Sequence, residues 1–257
     1  MDPSVFQQHE DLEQKHWWFT ARADIIRKVV DRVLGSANRE TLIIDVGCGT
    51  GGMVHALTSE RRIFGIDSST VAIEKARLLY PGSEYYCGDV FSYENEHGPV
   101  GLFMLMDVLE HIEDDSEFLA RLLDKLPTGG KMLITVPADM SLWSEHDVLA
   151  HHHRRYDVEG LMSLWSGLPV KVLSLTAFNA RLYSVVKAVR SLKRCLKLKN
   201  ESPSSDFFIP PCPFNGILHR LFAGESKRLL ATFDDPGGEG YSRGISLLAV
   251  LEKQETE

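Results

Sequence analysis

Thr41 to Gly52 reads TLIIDVGCGTGG, and the organisation of the whole chain can be worked out from it. Apolar residues run up to Asp45, glycines then alternate at Gly47, Gly49 and Gly51, and Gly52 follows. An apolar run closed by glycines and followed by a helical pattern reads as a buried parallel strand turning sharply into a helix. Glycine suits such a turn because it adopts dihedrals other residues resist and lets a ligand approach bare backbone. The N-terminus of the next helix offers unpaired N–H groups to an anionic part of that ligand. The stretch predicts a nucleotide-type cofactor site.

Which cofactor is a sharper question. Gly47, Gly49 and Gly52 satisfy GxGxxG, and Asp67 ends the next strand, RRIFGID, about twenty residues on, as a dinucleotide fingerprint expects. Asp45 argues the other way. Two residues before the first glycine, its negative charge would crowd a pyrophosphate, whereas a cofactor carrying a sulfonium and an ammonium would tolerate it. The chain continues with GDV at Gly88 to Val90 and DVLEHI at Asp107 to Ile112. Together, DVGCGTG, Asp67, GDV and DVLEHI resemble the class I S-adenosylmethionine-dependent methyltransferases. The likeness is to the small-molecule branch that includes the quinone-biosynthesis O-methyltransferases.

The chain has 257 residues, 44% hydrophobic and 25% charged, ample for one α/β domain with a buried core. A formal net charge of −8 disfavours general nucleic-acid binding, which needs a basic face. The four cysteines, Cys48, Cys87, Cys195 and Cys212, show no CxxC pairing and suggest a reducing compartment. The first thirty residues lack an apolar signal-type core, and no stretch approaches the roughly 20 apolar residues of a membrane span. The expectation is a cytoplasmic protein.

Before the glycine stretch, residues 3 to about 34 carry a helical pattern. Leu12, Phe19, Ile26, Val29, Val30 and Val33 form its apolar face, and Gly35 is its stop. Its His16-Trp17-Trp18-Phe19 either pins the helix to the sheet or forms a lid over the site. After the glycines, strands at 63–67, 84–87, 100–106 and 131–136 alternate with helices at 52–59, 70–79 and 114–126. That alternation means a doubly wound, mostly parallel sheet, with ligand loops at the carboxyl ends of the strands. Asp45, Asp67, Asp89 and Asp107 each fall at such an end. Residues 137 to 160 form a long connection, too aromatic for disorder. A weak strand at 170–176, a loop at 200–215, a helix at 217–233 and a strand at 244–251 complete the pattern.

Between Asn179 and Lys199, Leu182, Val185, Val186, Val189, Leu192 and Leu196 make an apolar stripe among seven cations and no acid. It reads either as a membrane-surface helix facing anionic headgroups or as a packed cover or homodimer face. The expected architecture is a single seven-stranded Rossmann-like domain. It has an N-terminal helical lid (1–40), a core (41–178) and a C-terminal cap (179–257).

The resemblance carries site residues with it. Asp45, Gly47, Cys48, Gly49, Thr50 and Gly51 match the motif that packs against the amino-acid part of S-adenosylmethionine. Asp67, with Ser68 beside it, matches the acid that accepts the ribose hydroxyls. Asp89 and Val90 match the adenine edge, and Asp107 and Val108 lie under the methionine end. For a hydroxyl acceptor a general base adds roughly 10²–10⁴-fold, and His111 and His152 compete for that role. The loop from Trp143 to Tyr156, ending HHRRY, is similar to a substrate-side loop of glycan and natural-product methyltransferases. It implies that His152, Arg155 and Tyr156 face the active site, with Trp18 and Trp143 as substrate contacts.

Arg154 and Arg155 read either as a clamp for an acceptor carboxylate or phosphate or as ion-pair partners of Asp147 or Asp157. Consecutive histidines at His151 to His153 cannot all converge with His146 on one ion, so no metal is expected from that run. The implied function is methyl transfer from S-adenosylmethionine to a small-molecule or lipid-linked acceptor, at oxygen. The competing reading from another class is a cofactor-binding regulator without turnover.

Overall fold

The structure is a computed structural model describing residues 12–36, 38–196, 209–234 and 240–255. Its centre is β1, Leu42–Val46, five buried residues hydrogen-bonded between β2 (Ile63–Asp67) and β4 (Val100–Met106). With β3 (Glu84–Cys87), β5 (Lys131–Pro137), β6 (Val170–Phe178) and β7 (Ser246–Lys253) it forms one seven-stranded sheet, ordered β3-β2-β1-β4-β5-β7-β6. Strands β1 to β5 are mutually parallel. The last strand, β7, inserts antiparallel between β5 and β6.

Because successive strand residues face opposite sides, the apolar runs feed two layers. On one face Ile44, Val46, Phe103 and Leu105 meet Leu119, Leu122 and Leu123 of α4 (Asp115–Asp124). On the other, Ile43, Leu102 and Met104 meet Ile25, Ile26, Val29 and Val30 of α1 (Trp17–Leu34), with α2 (Gly52–Thr58) and α3 (Thr70–Leu79) beside it. The His16 ring caps α1 by accepting the Trp18 N–H, and Gly35, at φ 82°, ends it.

The long connection after β5 is ordered by two short helices, α5 (Glu145–Leu149) and α6 (Val158–Ser163), and by a bridge from Ala138 to Tyr156. The basic stripe forms α7, Tyr183–Cys195, shorter than expected at its start because Ala180 and Arg181 give their N–H groups to Glu225. The single helix expected over 217–233 is instead two, α8 (Phe214–Ala223) and α9 (Ser226–Ala231). That same buried Glu225 carboxylate occupies the break between them. Parts of the expected N-terminal helix and of the 200–215 loop lie outside the described residues. Among the described residues no helix is long and apolar enough to cross a membrane.

Candidate active site

Strand order reverses between β1 and β4, and a doubly wound sheet opens its ligand crevice at that point. A cleft of about 950 Å³ lies there, lined by the glycine loop after β1, the turn after β4, α1, the 137–155 connection and α7.

At the glycine-loop end, Gly47, Gly49 and Gly51 have φ of 72°, 56° and 84°, values a side chain would strain. A Cβ on Gly51 would stand 2.4 Å from the Tyr85 hydroxyl, so this turn closes only on glycine. Both oxygens of Asp67 hold the turn in place: one accepts the Gly49 N–H at 2.9 Å, the other the Ser69 N–H at 2.8 Å. Asp45 is buried at the cleft wall with its Oδ1 unpartnered. Burial raises its pKa to about 7, against a downward pull from Arg22, and Asp67 adds to the rise. Over the loop, the Glu13 carboxylate accepts from Thr50 at 2.6 Å and from the Tyr80 hydroxyl at 3.2 Å. Asp107, at φ 60°, is tied by Arg22 of α1 at 2.5 Å and by the Thr135 hydroxyl at 3.1 Å.

At the other end, Asp147 organises the chemistry. Its Oδ1 accepts from Arg155 Nε at 2.7 Å and faces His152 Nδ1 at 3.0 Å. Its Oδ2 takes the Ser144 N–H at 2.8 Å, the Ser144 hydroxyl and Arg155 Nη2, both at 3.1 Å. Burial alone would push this carboxyl up, but the bonds from His152 and Arg155 outweigh it and hold it below the usual range. The imidazole of His152 is therefore fixed through Nδ1, leaving Nε2 for the cleft. His111 stands against it, ring centres 4.7 Å apart at 79°. Burial, with His152 adding to it, lowers His111 to about 4, so its ring is neutral at pH 7.

A family model described as a methyltransferase domain matches residues 17–196, which hold both ends of this cleft. The chain belongs to the class I S-adenosylmethionine-dependent methyltransferases. A protein described as a probable S-adenosylmethionine-dependent methyltransferase of Mycolicibacterium smegmatis is 22% identical over 127 residues, covering 49% of this chain and 48% of the relative. The trans-aconitate 2-methyltransferase of an Azoarcus species is 32% identical over 99 residues, 37% of this chain and 38% of that one. The chain thus spans about half or less of the length of these curated relatives. In fold, the plantazolicin methyltransferase BpumL, solved with S-adenosylhomocysteine, aligns over 98% of this chain and 90% of its own at a TM-score of 0.58 and 14% identity.

As a methyltransferase cleft, the site gathers most of the residues singled out by sequence. Asp45, Gly47, Cys48, Gly49, Thr50, Asp107, His111, His152, Arg155 and Trp18 line it. Gly51, Asp67, Ser68, Asp89, Val90, Val108, Trp143 and Tyr156 do not. Gly51 and Val108 act from behind the turn, since a Cβ on Gly47 would meet Val108 at 2.7 Å. Two acceptor-side expectations need correcting. The Arg155 guanidinium is buried and spent on Asp147 and the Ala138 carbonyl, so it is the ion-pair partner, not a clamp. The Tyr156 hydroxyl is buried and donates to Asp115 at 2.7 Å, where Arg154 also binds at 2.6 Å. Neither Arg154 nor Tyr156 is aimed at an acceptor.

The lid question has a combined answer. Trp17, Trp18 and Phe19 line the cleft, and the segment is also pinned, through the Trp17 N–H to Asn215 at 3.0 Å and Trp17 against Phe222 of α8. Sequence reading missed Glu13, Arg22, Glu110 and the orienting role of Asp147. Only Glu110 carried a signal, as a second acid in the DVLEHI turn, directly before His111.

Proposed function

We propose that this chain transfers a methyl group from S-adenosylmethionine to a hydroxyl oxygen of a small-molecule or lipid-linked acceptor. The observation that carries the reading is the buried oxygen of Asp45 beside the glycine cradle, which has no hydrogen-bond partner among the described residues. A buried carboxylate without a partner is unfavourable, and a ligand bearing a positive ammonium relieves it while a pyrophosphate would not. Asp67, outside the cleft lining but bonded to its glycine loop, supports the ribose side: each of its oxygens carries one N–H bond and keeps a lone pair for a vicinal diol. Bound there, S-adenosylmethionine would supply an electrophilic methyl group to the acceptor oxygen, the C–S electron pair returning to sulfur.

The protein's own part is placement and exclusion of water. Trp17, Trp18 and Phe19 cover the cleft from α1, and Arg22 ties that helix to Asp107 beneath it. Holding two reactants in line is worth about 7–11 kcal/mol in well-oriented systems. The acceptor oxygen is received at the histidine end, beside His111 and His152, and its proton is given up there.

A lipid-linked or membrane-delivered acceptor is supported by α7. Val185, Val186, Val189 and Arg190 edge the cleft, while Val185, Val189, Leu192 and Leu196 are exposed. Such a rim suits peripheral contact with an anionic bilayer.

The test is incubation with methyl-labelled S-adenosylmethionine and a cell extract, then partition between organic and aqueous phases. Label in an organic-phase product is expected. Label confined to a small aqueous product removes the lipid part of the reading. Tight binding of S-adenosylhomocysteine with no transfer at all makes the chain a cofactor-binding regulator.

A further inference from the structure

Glu110 is fully buried at the cleft wall, yet neither of its carboxylate oxygens has a hydrogen-bond partner among the described residues. Its carbonyl accepts the His153 N–H at 2.8 Å, and its carboxyl feels the charges of Asp107, Arg22 and Arg155 without a hydrogen bond to their side chains. An unpartnered buried carboxyl is among the costlier features a fold can carry, so a missing partner is the natural explanation.

The surroundings show what kind of partner. One ligand atom each from Glu110, His111 and His152 lies within 4.8 Å of the others, and His152 Nε2 is 3.9 Å from Glu110 Oε1. An ion with bonds of about 2.1 Å in tetrahedral geometry holds its ligand atoms about 3.4 Å apart. Small rotations of one ring and one carboxyl close the difference. Part of the outer shell is already in place: His152 Nδ1 is held by Asp147 at 3.0 Å. Metal-bound histidines are oriented in this way, through the nitrogen that does not bind the ion. The two rings pack edge-on, at 79°, with one nitrogen of each within 4.8 Å of the other.

We infer that Glu110, His111 and His152 form a binding site for a divalent transition-metal ion at the acceptor end of the cleft. Two imidazoles and one carboxylate suit Zn²⁺, Mn²⁺, Fe²⁺ or Co²⁺ and not Ca²⁺ or Mg²⁺, which prefer all-oxygen shells. Three protein ligands leave at least one position open to the cleft. If the chain is the methyltransferase proposed above, an acceptor hydroxyl takes that position and becomes more acidic there. His152 Nε2 is then a ligand, and the hydroxyl proton leaves to water at the cleft mouth. The ion-binding site itself does not depend on that reading.

The experiment uses tag-free full chain stripped with a chelator, titrated with Co²⁺ and followed by visible absorption, with Zn²⁺ and Mn²⁺ calorimetry in parallel. One equivalent of Co²⁺ with ligand-field bands is expected, and affinity should fall at least about tenfold in Glu110→Gln and in His111→Ala. If Glu110→Gln does not fold, His111→Ala, a half-buried position, carries the same comparison. The proposal is overturned by absence of ligand-field bands and heat up to millimolar ion, or by affinity unchanged in the variants. Calorimetry with S-adenosylhomocysteine on the same samples reports the donor end independently. Loss of that binding alone would sink the methyltransferase reading while leaving the ion result standing.

Discussion

The glycine-loop end of the cleft is made from backbone and near neighbours, while the histidine end is made from side chains far apart in sequence. At the first, Gly47, Gly49 and Gly51 set the turn, and Asp67, one strand away, locks it through N–H groups. At the second, His152 is positioned by Asp147, Asp147 is saturated by Arg155 and Ser144, and Glu110 and His111 arrive from another strand's turn. A backbone cradle tolerates little change at its glycines but demands little of its neighbours. A side-chain constellation can lose one member and keep its fold, so the two ends should separate cleanly under mutation.

The largest effect is expected at the histidine end. His152→Ala should reduce turnover by about 10²–10⁴-fold while leaving S-adenosylhomocysteine affinity within about twofold by calorimetry. Parallel loss of both would dissolve the division between the ends and make His152 structural. Next comes the cradle. Gly51→Ala, with φ 84° and a Cβ 2.4 Å from the Tyr85 hydroxyl, should weaken cofactor affinity by about tenfold or more. It should also lower thermal stability, since strain of this kind costs of order 1–3 kcal/mol. Wild-type affinity in that variant would show that the turn is softer than its geometry implies.

A smaller effect sharpens the electrostatics of the cradle. Asp45 has a folded pKa of about 7 against an ordinary 3.8, raised first by burial. The folded apo chain therefore holds a proton that the unfolded chain has released. Its stability should fall as pH rises from about 4 to about 7 and level off above. Cofactor affinity should run the other way, weakening below pH 7 as Asp45 takes up its proton, by up to about tenfold per unit. Asp45→Asn should flatten both profiles, and an unchanged binding profile would remove Asp45 from the ammonium contact. The smallest effect belongs to the rim of α7. Val189→Ser and Leu192→Ser, exposed at 48% and 60%, should shift stability by no more than about 0.5 kcal/mol. Binding to anionic vesicles should nevertheless decline, and undiminished vesicle binding would exclude this stripe as the contact.

The donor end was legible in the sequence because its determinants are contiguous. TLIIDVGCGTGG contains the strand, the turn and the start of the helix, and the register of β1 between β2 and β4 brings Asp67 and Asp107 to its flanks. The acceptor end was legible only in part. His152 lines the cleft, but Arg155 and Tyr156, its neighbours in HHHRRY, are buried in ion-pair and hydrogen-bond contacts. The run of histidines at His151 to His153 reads as unable to converge on one ion. What could not be seen is that His152 alone turns inward, after His151 at φ 57°, to meet Glu110 and His111.

By itself the sequence determined the fold class, the strand carrying the cofactor loop and the acids at the strand ends, because hydrophobic periodicity and glycine placement act locally. The break at Glu225 and the roles of Arg22, Asp147 and Glu110 were decided only in three dimensions. Each depends on which partner reaches a buried polar group. Arg22 reaches Asp107 across 85 positions, and Asp147 collects His152 and Arg155 from the far side of a short helix. The Glu110 carboxylate was left buried at the cleft wall without a hydrogen-bond partner among the described residues. Desolvation penalises every polar group that enters the interior, but only the packed chain fixes which donors are close enough to offset it.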